Sequence, residues 1–372
     1  MTKIIDITKR VYSGGTPDTR KSEYWNGDIK WLSSGETRNN FIFDTDKKIT
    51  ELGVNNSSTK LASKRSIVMA CAGQGFTRGQ TSYLMDDMYI NQSVICIEPD
   101  DNKVDGLYLY YFFKNNYQLL RSLSNDHSSR GSITTAMIKD FEVNFPDIDI
   151  QKRISNILYG IDQKIELNNK INNNLYEVSK QLLLKYLDEN KSSDEINISK
   201  FLNIFTGKKN ANETSPTGKY KFFSCAPESL LSDTYLCDSA AIIVAGNGAY
   251  TGRTRFYDGK FELYQRTYGL TLKDGFEKNN IYGLYVFMKT IFEPDKMGGT
   301  HGSAIPYIVL SDLTDYKLRY NKVEFDKFSN LVGGNIKMIQ ENETSNEKLS
   351  ELRDTLLPKL MNGEIDLGNI EI

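Results

Sequence analysis

Gln151–Leu187 reads QKRISNILYGIDQKIELNNKINNNLYEVSKQLLLKYL. Ile154, Ile157, Ile161, Leu175, Val178 and Leu182 recur at three- and four-residue steps, the stripe of a helix that lies along another helix. No proline interrupts the stretch, and Gly160 costs only about 1 kcal/mol relative to alanine. At about 1.5 Å per residue it makes a rod of roughly 55 Å, which cannot bury its stripe alone.

The partner stripe lies in FDKFSNLVGGNIKMIQENETSNEKLSELRDTLLPKLM, Phe325–Met361, which aligns to the first stretch without a gap at a constant offset of 174 residues. Ser155-Asn156 answers Ser329-Asn330, Gly160 answers Gly334, and Asn168 and Asn172 answer Asn342 and Asn346. Leu175, Leu182 and Leu183 then answer Leu349, Leu356 and Leu357. Asn168 sits in the stripe, where a polar residue gives up stability to fix the alignment of two helices. The two helices are therefore expected to pair with each other through Ile154, Ile161, Leu175, Leu182, Ile339, Leu349, Leu356 and Leu357, unless some of these leucines dock a separate subunit.

The segments before each helix repeat as well. MACAGQGFTRGQTSYL (Met69–Leu84) resembles IVAGNGAYTGRTRFY (Ile243–Tyr257), with Gly73, Gly75 and Gly79 answered by Gly246, Gly248 and Gly252. YLYYFFKNN is echoed by YGLYVFMKT, and Gly131-Ser132 by Gly302-Ser303. The order is block, helix, block, helix, and a tandem duplication of this kind gives a pseudo-twofold molecule. The expected fold class is α+β: globular domains at residues 1–147 and 191–322, and long antiparallel, coiled-coil-like helices at 148–190 and 323–372.

Composition agrees with a globular protein of this size. A chain of 372 residues exceeds one ordinary core, and 39% hydrophobic with 11% aromatic residues is ample material for two. Cys71, Cys96, Cys225 and Cys237 stand far apart with no C-x-x-C, which argues against a zinc knuckle or a disulfide framework. No leader pattern follows Met1 and no apolar run approaches the roughly 20 residues of a membrane span, so a cytoplasmic protein with no membrane partner is expected. The net charge of -2 hides an asymmetry: residues 323–372 carry 5 basic and 10 acidic side chains, leaving the remainder at +3. Local basic clefts are compatible with that balance.

Catalytic signatures are missing from the sequence. None of the eight prolines adjoins another, so there is no D/N-P-P-Y/F loop of an amino-methyltransferase, and no G-x-x-x-x-G-K-[ST] cradle for a nucleotide. Only two histidines are present. Pro146-Asp147 with Asp162-x-Lys164 mimics a nuclease pattern, but Asp162 and Lys164 fall on the helix, where a solvated charged face is expected. Gly73-x-Gly75-x-x-x-Gly79 mimics a dinucleotide fingerprint, yet it runs into a turn and strand where that motif opens a helix. No catalytic residue, bound cofactor or metal is assigned.

Glycine-rich loops suit close approach to DNA, and their polar residues suit base edges: arginine forks onto guanine, and asparagine or glutamine onto adenine. Gln74, Arg78 and Gln80 in the first loop, and Asn247, Arg253 and Arg255 in the second, are the candidate readers; ordinary hairpin tips are the plain alternative. Arg130 and His301, beside Gly131-Ser132 and Gly302-Ser303, are candidate backbone contacts, and Lys208 and Arg266, with Lys64, Arg65 and Lys209, could neutralise phosphates.

Two segments complete the picture: GGTPDTRKSEYWNGDIKWLSSGE (Gly14–Glu36) and LRDTLLPKLMNGEI (Leu352–Ile365). They resemble the opening and closing motifs of the specificity (S) subunits of type I restriction-modification enzymes. That resemblance implies two target-recognition domains, each reading half of a bipartite site in double-stranded DNA, with the helices as spacer and as docking surfaces for two methyltransferase (modification) subunits. It implies further that restriction (translocase and nuclease) subunits join through those, that S-adenosylmethionine is held by the modification subunits, and that Trp25 and Trp31 build the first domain's fold. A self-contained restriction or modification enzyme and a helical scaffold without DNA function are the rival readings. In the second block, TGKKNANETSPTGKYKFFSCAPE keeps little of the opening motif.

Overall fold

The computed structural model describes residues 2–73, 76–125, 131–291, 306–365 and 367. Two helices dominate the element order, Ile148–Glu189 of 42 residues and Lys322–Met361 of 40, and the chain divides into two compact units. Unit 1 is Met1–Lys164 with Lys348–Ile372, and unit 2 is Ile165–Glu347. Each unit therefore holds a mixed block of strands and helices and a stretch of both long helices.

In unit 1 the strands Thr8–Ser13, Val94–Pro99, Ile67–Ala70, Thr81–Leu84 and Phe41–Ile42 form a sheet in that order, antiparallel except for the last pair. The runs IVMA and VICIEP are buried on both faces, which is why they show no polar alternation. Ile67, Met69, Ile95 and Ile97 face a core that includes the helix Gly106–Asn115. Val68, Leu84, Val94 and Cys96 face Leu32 and Ile90 of a second, four-stranded sheet. Asp105 caps that helix by accepting from the Tyr108 N–H, and Tyr108, Tyr110, Tyr111 and Phe113 are all buried beneath it. The aromatics of the opening motif do build the fold. Trp31 is buried, donates to the Gly15 carbonyl, and meets Trp25 edge to face at 5.0 Å. Gly14 and Gly15 are required because a Cβ at either would sit 2.0 Å from Ile90 O or Ser58 Oγ.

Unit 2 repeats the plan. Leu202–Thr206, Thr267–Leu272, Ala241–Ala245 and Thr254–Tyr257 form an antiparallel sheet in that order, the counterpart of the first four strands above. Ile242 and Val244 face the core of the helix Asn280–Ile291, and Ala241 and Ile243 face Phe261 and Leu263 on the other side.

The long helices run antiparallel. In unit 2, Asn168 Nδ2 donates to Asn346 Oδ1 at 2.8 Å and Asn342 Nδ2 to Asn172 Oδ1 at 2.8 Å. Under the 174-residue repeat each of these bonds is the image of the other. Asn335 Nδ2 donates to Ser179 Oγ further along, and Tyr186 packs on Phe325 and Phe328 at 5.5 and 5.4 Å. The seam departs from the expected stripe at Val178, which is 53% exposed. Ser179, fully buried, takes the place, because three- and four-residue steps from Asn168 pass through 172, 175, 179, 182 and 186.

In unit 1 the paired stretches bury Ile154, Leu158, Leu357 and Leu360 and enclose an ion pair. Arg353 Nη1 donates to Asp162 Oδ1 at 2.7 Å, and the Tyr111 hydroxyl donates to Asp162 Oδ2 at 2.7 Å. Asp162 is thus 3% exposed and does not lie on the solvated face expected for it; both oxygens are taken by its own fold. Burial alone would lower the Arg353 pKa, but the bond and charge of Asp162 outweigh it and hold the guanidinium further up. Lys114 stands beside this pair, bonded to Asn40 Oδ1, and burial together with the Arg353 charge depresses its pKa to about 8.

Candidate nucleic-acid interface

In each unit the glycine-rich loop joins two adjacent central strands, Ile67–Ala70 to Thr81–Leu84 and Ala241–Ala245 to Thr254–Tyr257. The two loops are built on one set of hydrogen bonds. Gly79 N–H donates to Ala70 O and Gly252 N–H to Ala245 O, both glycines at positive φ. Gln80 N–H donates to Thr77 O, and Arg253 N–H to Tyr250 O. Thr81 and Thr254 hydroxyls donate to the Gly79 and Gly252 carbonyls at 3.1 and 3.0 Å. Ile133 N–H reaches Cys71 O as Ile308 N–H reaches Gly246 O, which ties each loop to a second segment. Gln80 and Arg253 therefore occupy the same position in the two units.

This frame sorts the predicted readers. Gln80 and Arg253 are half-exposed at the loop ends, and the Arg253 guanidinium lies 4.2 Å over the ring of Tyr250, itself 40% exposed. Asn247 stays at the loop, accepting from Cys225 Sγ at 3.1 Å and bridging to Tyr307.

Arg78 does not point outward. It is 7% exposed, and a Cβ added to Gly131 would lie 1.6 Å from its Nη1, so the guanidinium fills the space that the missing side chain leaves. Its counterpart Thr251 also closes the loop onto the second segment, donating at 2.7 Å to Gly248 O and 2.9 Å to Pro306 O. Position 78 is a latch, and the sequence alone could not distinguish a latch from a reader because arginine serves either.

Arg255 is likewise committed to its own fold. It donates to the Ala226 carbonyl and lies 5.7 Å from the Phe223 ring centroid; burial and then the Arg253 charge lower its pKa. Lys208 and Arg266 are exposed, as a phosphate contact requires, whereas Lys209 is held by Ser232 and Thr234 hydroxyls at 2.9 and 2.6 Å. Lys64 is exposed, and Arg65 stands 3.5 Å from Asp101. Gln74, Arg130 and His301 lie outside the described residues.

Sequence reasoning passed over Phe76, the most exposed large hydrophobic among the described residues at 79%, and Tyr117, whose hydroxyl donates to Phe76 O at 2.7 Å. Residues 69 to 84 contain no carboxylate, a feature of this loop that the sequence shows directly.

It is the comparisons that give these paired blocks, with their matched glycine-rich loops, a class: DNA-specificity proteins. The model of the type I restriction modification DNA specificity domain matches residues 2–177. The type I restriction enzyme MjaIX specificity subunit of Methanocaldococcus jannaschii is 23% identical, over 98% of this chain and 92% of that one. The EcoR124I/EcoR124II specificity subunit of Escherichia coli is 29% identical, over 47% of this chain and 46% of that one. The crystal structure of the type I restriction-modification S subunit from M. genitalium shares the fold, with a TM-score of 0.63 at 17% identity over 96% of this chain and 95% of that one. Residues 2–177 thus match the type I restriction modification DNA specificity domain, and the chain is similar along nearly its whole length to a type I specificity subunit. Among the described residues no helix is long and apolar enough to cross a membrane.

Proposed function

We propose that each unit reads one half of a bipartite site in double-stranded DNA through its glycine-rich loop, and that the chain is a recognition subunit without catalysis of its own. The observation that carries this is one hydrogen-bond frame holding different side chains at one position, Gln80 in unit 1 and Arg253 in unit 2. Glutamine suits adenine and arginine guanine in the major groove, so a shared frame with divergent readers fits two half-sites of different sequence. Lys208 and Arg266 would add phosphate contacts that set register without specifying bases.

The partners would be two methyltransferase subunits, which would hold S-adenosylmethionine, with restriction subunits joining through them. A groove of about 610 Å³ in unit 1 supports a docking face; Ile157, Gly160, Ile161 and Leu349 line it between Arg153 and Lys164. The repeat places Leu331, Gly334 and Met338 on the matching face in unit 2, with Leu331 61% and Met338 48% exposed. A Cβ at Gly160 or Gly334 would meet nothing within 4 Å, so neither glycine is required by the chain's own packing. A repeated face suits two copies of one partner.

The test is to express the chain with its modification subunits and map methylated motifs by long-read sequencing. A bipartite motif is expected, and exchanging Gln80 for arginine should alter one half-site only. Methylation without sequence preference, or activity of the isolated chain, would refute the reading.

A further inference from the structure

We propose that Phe76 is an apolar wedge that enters the stacked bases of the half-site read by unit 1; the inference rests on the DNA-specificity reading above. A phenyl ring 79% exposed on a mobile tip would mean little, since single exposed apolar residues are ordinary. This one has its own carbonyl anchored. Its carbonyl accepts from the Tyr117 hydroxyl at 2.7 Å, and Arg121 Nη1 holds that same hydroxyl at 2.8 Å. The Tyr117 ring backs onto Gly79, where a Cβ would come within 3.4 Å of it. Two residues further on, Arg78 is seated against Gly131. The loop is thus pinned at Phe76 itself and on its C-terminal side.

Charge identifies the occupant. Residues 69–84 and 112–123 contain no carboxylate, and Arg121 bonds the Tyr117 hydroxyl, so these two segments oppose a polyanion with no negative charge of their own. An apolar ring inserted between stacked bases parts a base step and bends the duplex. Unit 2 provides the contrast: its loop carries Tyr250, but the Arg253 guanidinium already covers that ring at 4.2 Å. The wedge is therefore assigned to unit 1 alone.

The experiment uses the chain assembled with its modification subunits and a duplex carrying the motif that methylation mapping identifies. 2-Aminopurine is placed in turn at each step of both half-sites. Wild type should raise the fluorescence at one step in one half-site, reporting unstacking. Phe76→Ala should abolish that rise and weaken binding about tenfold, and Phe76→Leu should retain most of both. An unchanged midpoint of tryptophan-detected unfolding shows that Phe76→Ala remains folded. The wedge is overturned if wild type binds with no rise at any step, if Phe76→Ala binds and unstacks like wild type, or if Phe76→Ala instead impairs capture of the modification subunits. A wild-type complex that fails to bind the duplex at all removes the specificity reading, and the wedge with it.

Discussion

Replacing Arg353 by alanine should be the most damaging single change in the helix seam of unit 1. Asp162 is 3% exposed and accepts from Arg353 Nη1 and from the Tyr111 hydroxyl, each at 2.7 Å, so alanine leaves a buried carboxylate with one donor and without its bonded counter-ion. Losing one partner of such a pair costs about 3–5 kcal/mol, most of it the unpaired charge that remains. At about 2–4 °C per kcal/mol for a unit of this size, the melting midpoint should fall by about 10 °C. Both tryptophans, Trp25 and Trp31, lie in unit 1, so their fluorescence follows this unit in thermal and urea unfolding of the whole chain. The discriminating variant is Asp162→Leu with Arg353→Met and Tyr111→Phe, which removes the charges together and keeps the volume. It should recover to within about 2 kcal/mol of wild type, because an apolar replacement avoids desolvating either ion. Unit 2 already follows this solution: the repeat puts Ile336, 1% exposed, where unit 1 has Asp162. Two results would refute the reasoning: Arg353→Ala costing no more than loss of an exposed pair such as Lys3–Asp140, or the apolar triple variant being as unstable as the single one.

Lys114→Met should gain stability over wild type below pH 8, by at most about 3 kcal/mol less the lost bond to Asn40. The folded amine titrates at about 8 against an ordinary 10.5, so below pH 8 both states carry the proton and the full penalty stands. Between 8 and 10.5 only the unfolded chain is protonated, wild type gains stability with rising pH, and the advantage of the variant should shrink; urea midpoints at pH 7, 9 and 10.5 check this. Gly131→Ala should displace the Arg78 guanidinium and weaken DNA binding evenly across sequences, read by gel shift on cognate and mismatched duplexes. Arg253→Ala should relax one base position by about 1–3 kcal/mol, whereas Arg255→Ala should lower the stability of unit 2 with little change in the methylated motif.

The duplication was legible because the helices keep a constant offset, and a 174-residue repeat can be seen without any knowledge of contacts. It carried the α+β plan, the antiparallel seam and the pairing of two glycine-rich loops. The closing motif even contains Arg353, although its role there could not be read, since a lone arginine on a helix gives no sign of whether its partner is water or Asp162. Periodicity also misplaced seam residues, Val178 among them: hydropathy favours Val178, but a close helix approach favours the smaller Ser179, which bonds Asn335.

What the sequence determined by itself was everything local or periodic: which stretches are helices, that the halves match, and that the loops between the central strands need glycine. What tertiary structure alone decided was the direction in which each polar side chain of those loops points. Arg78 fills the void above Gly131, a residue 53 positions away, and Arg255 reaches back to Ala226, while Gln80 and Arg253 keep free faces. Those choices depend on which distant backbone arrives beside the loop, and a contact of that kind leaves no spacing in the chain from which it could be read.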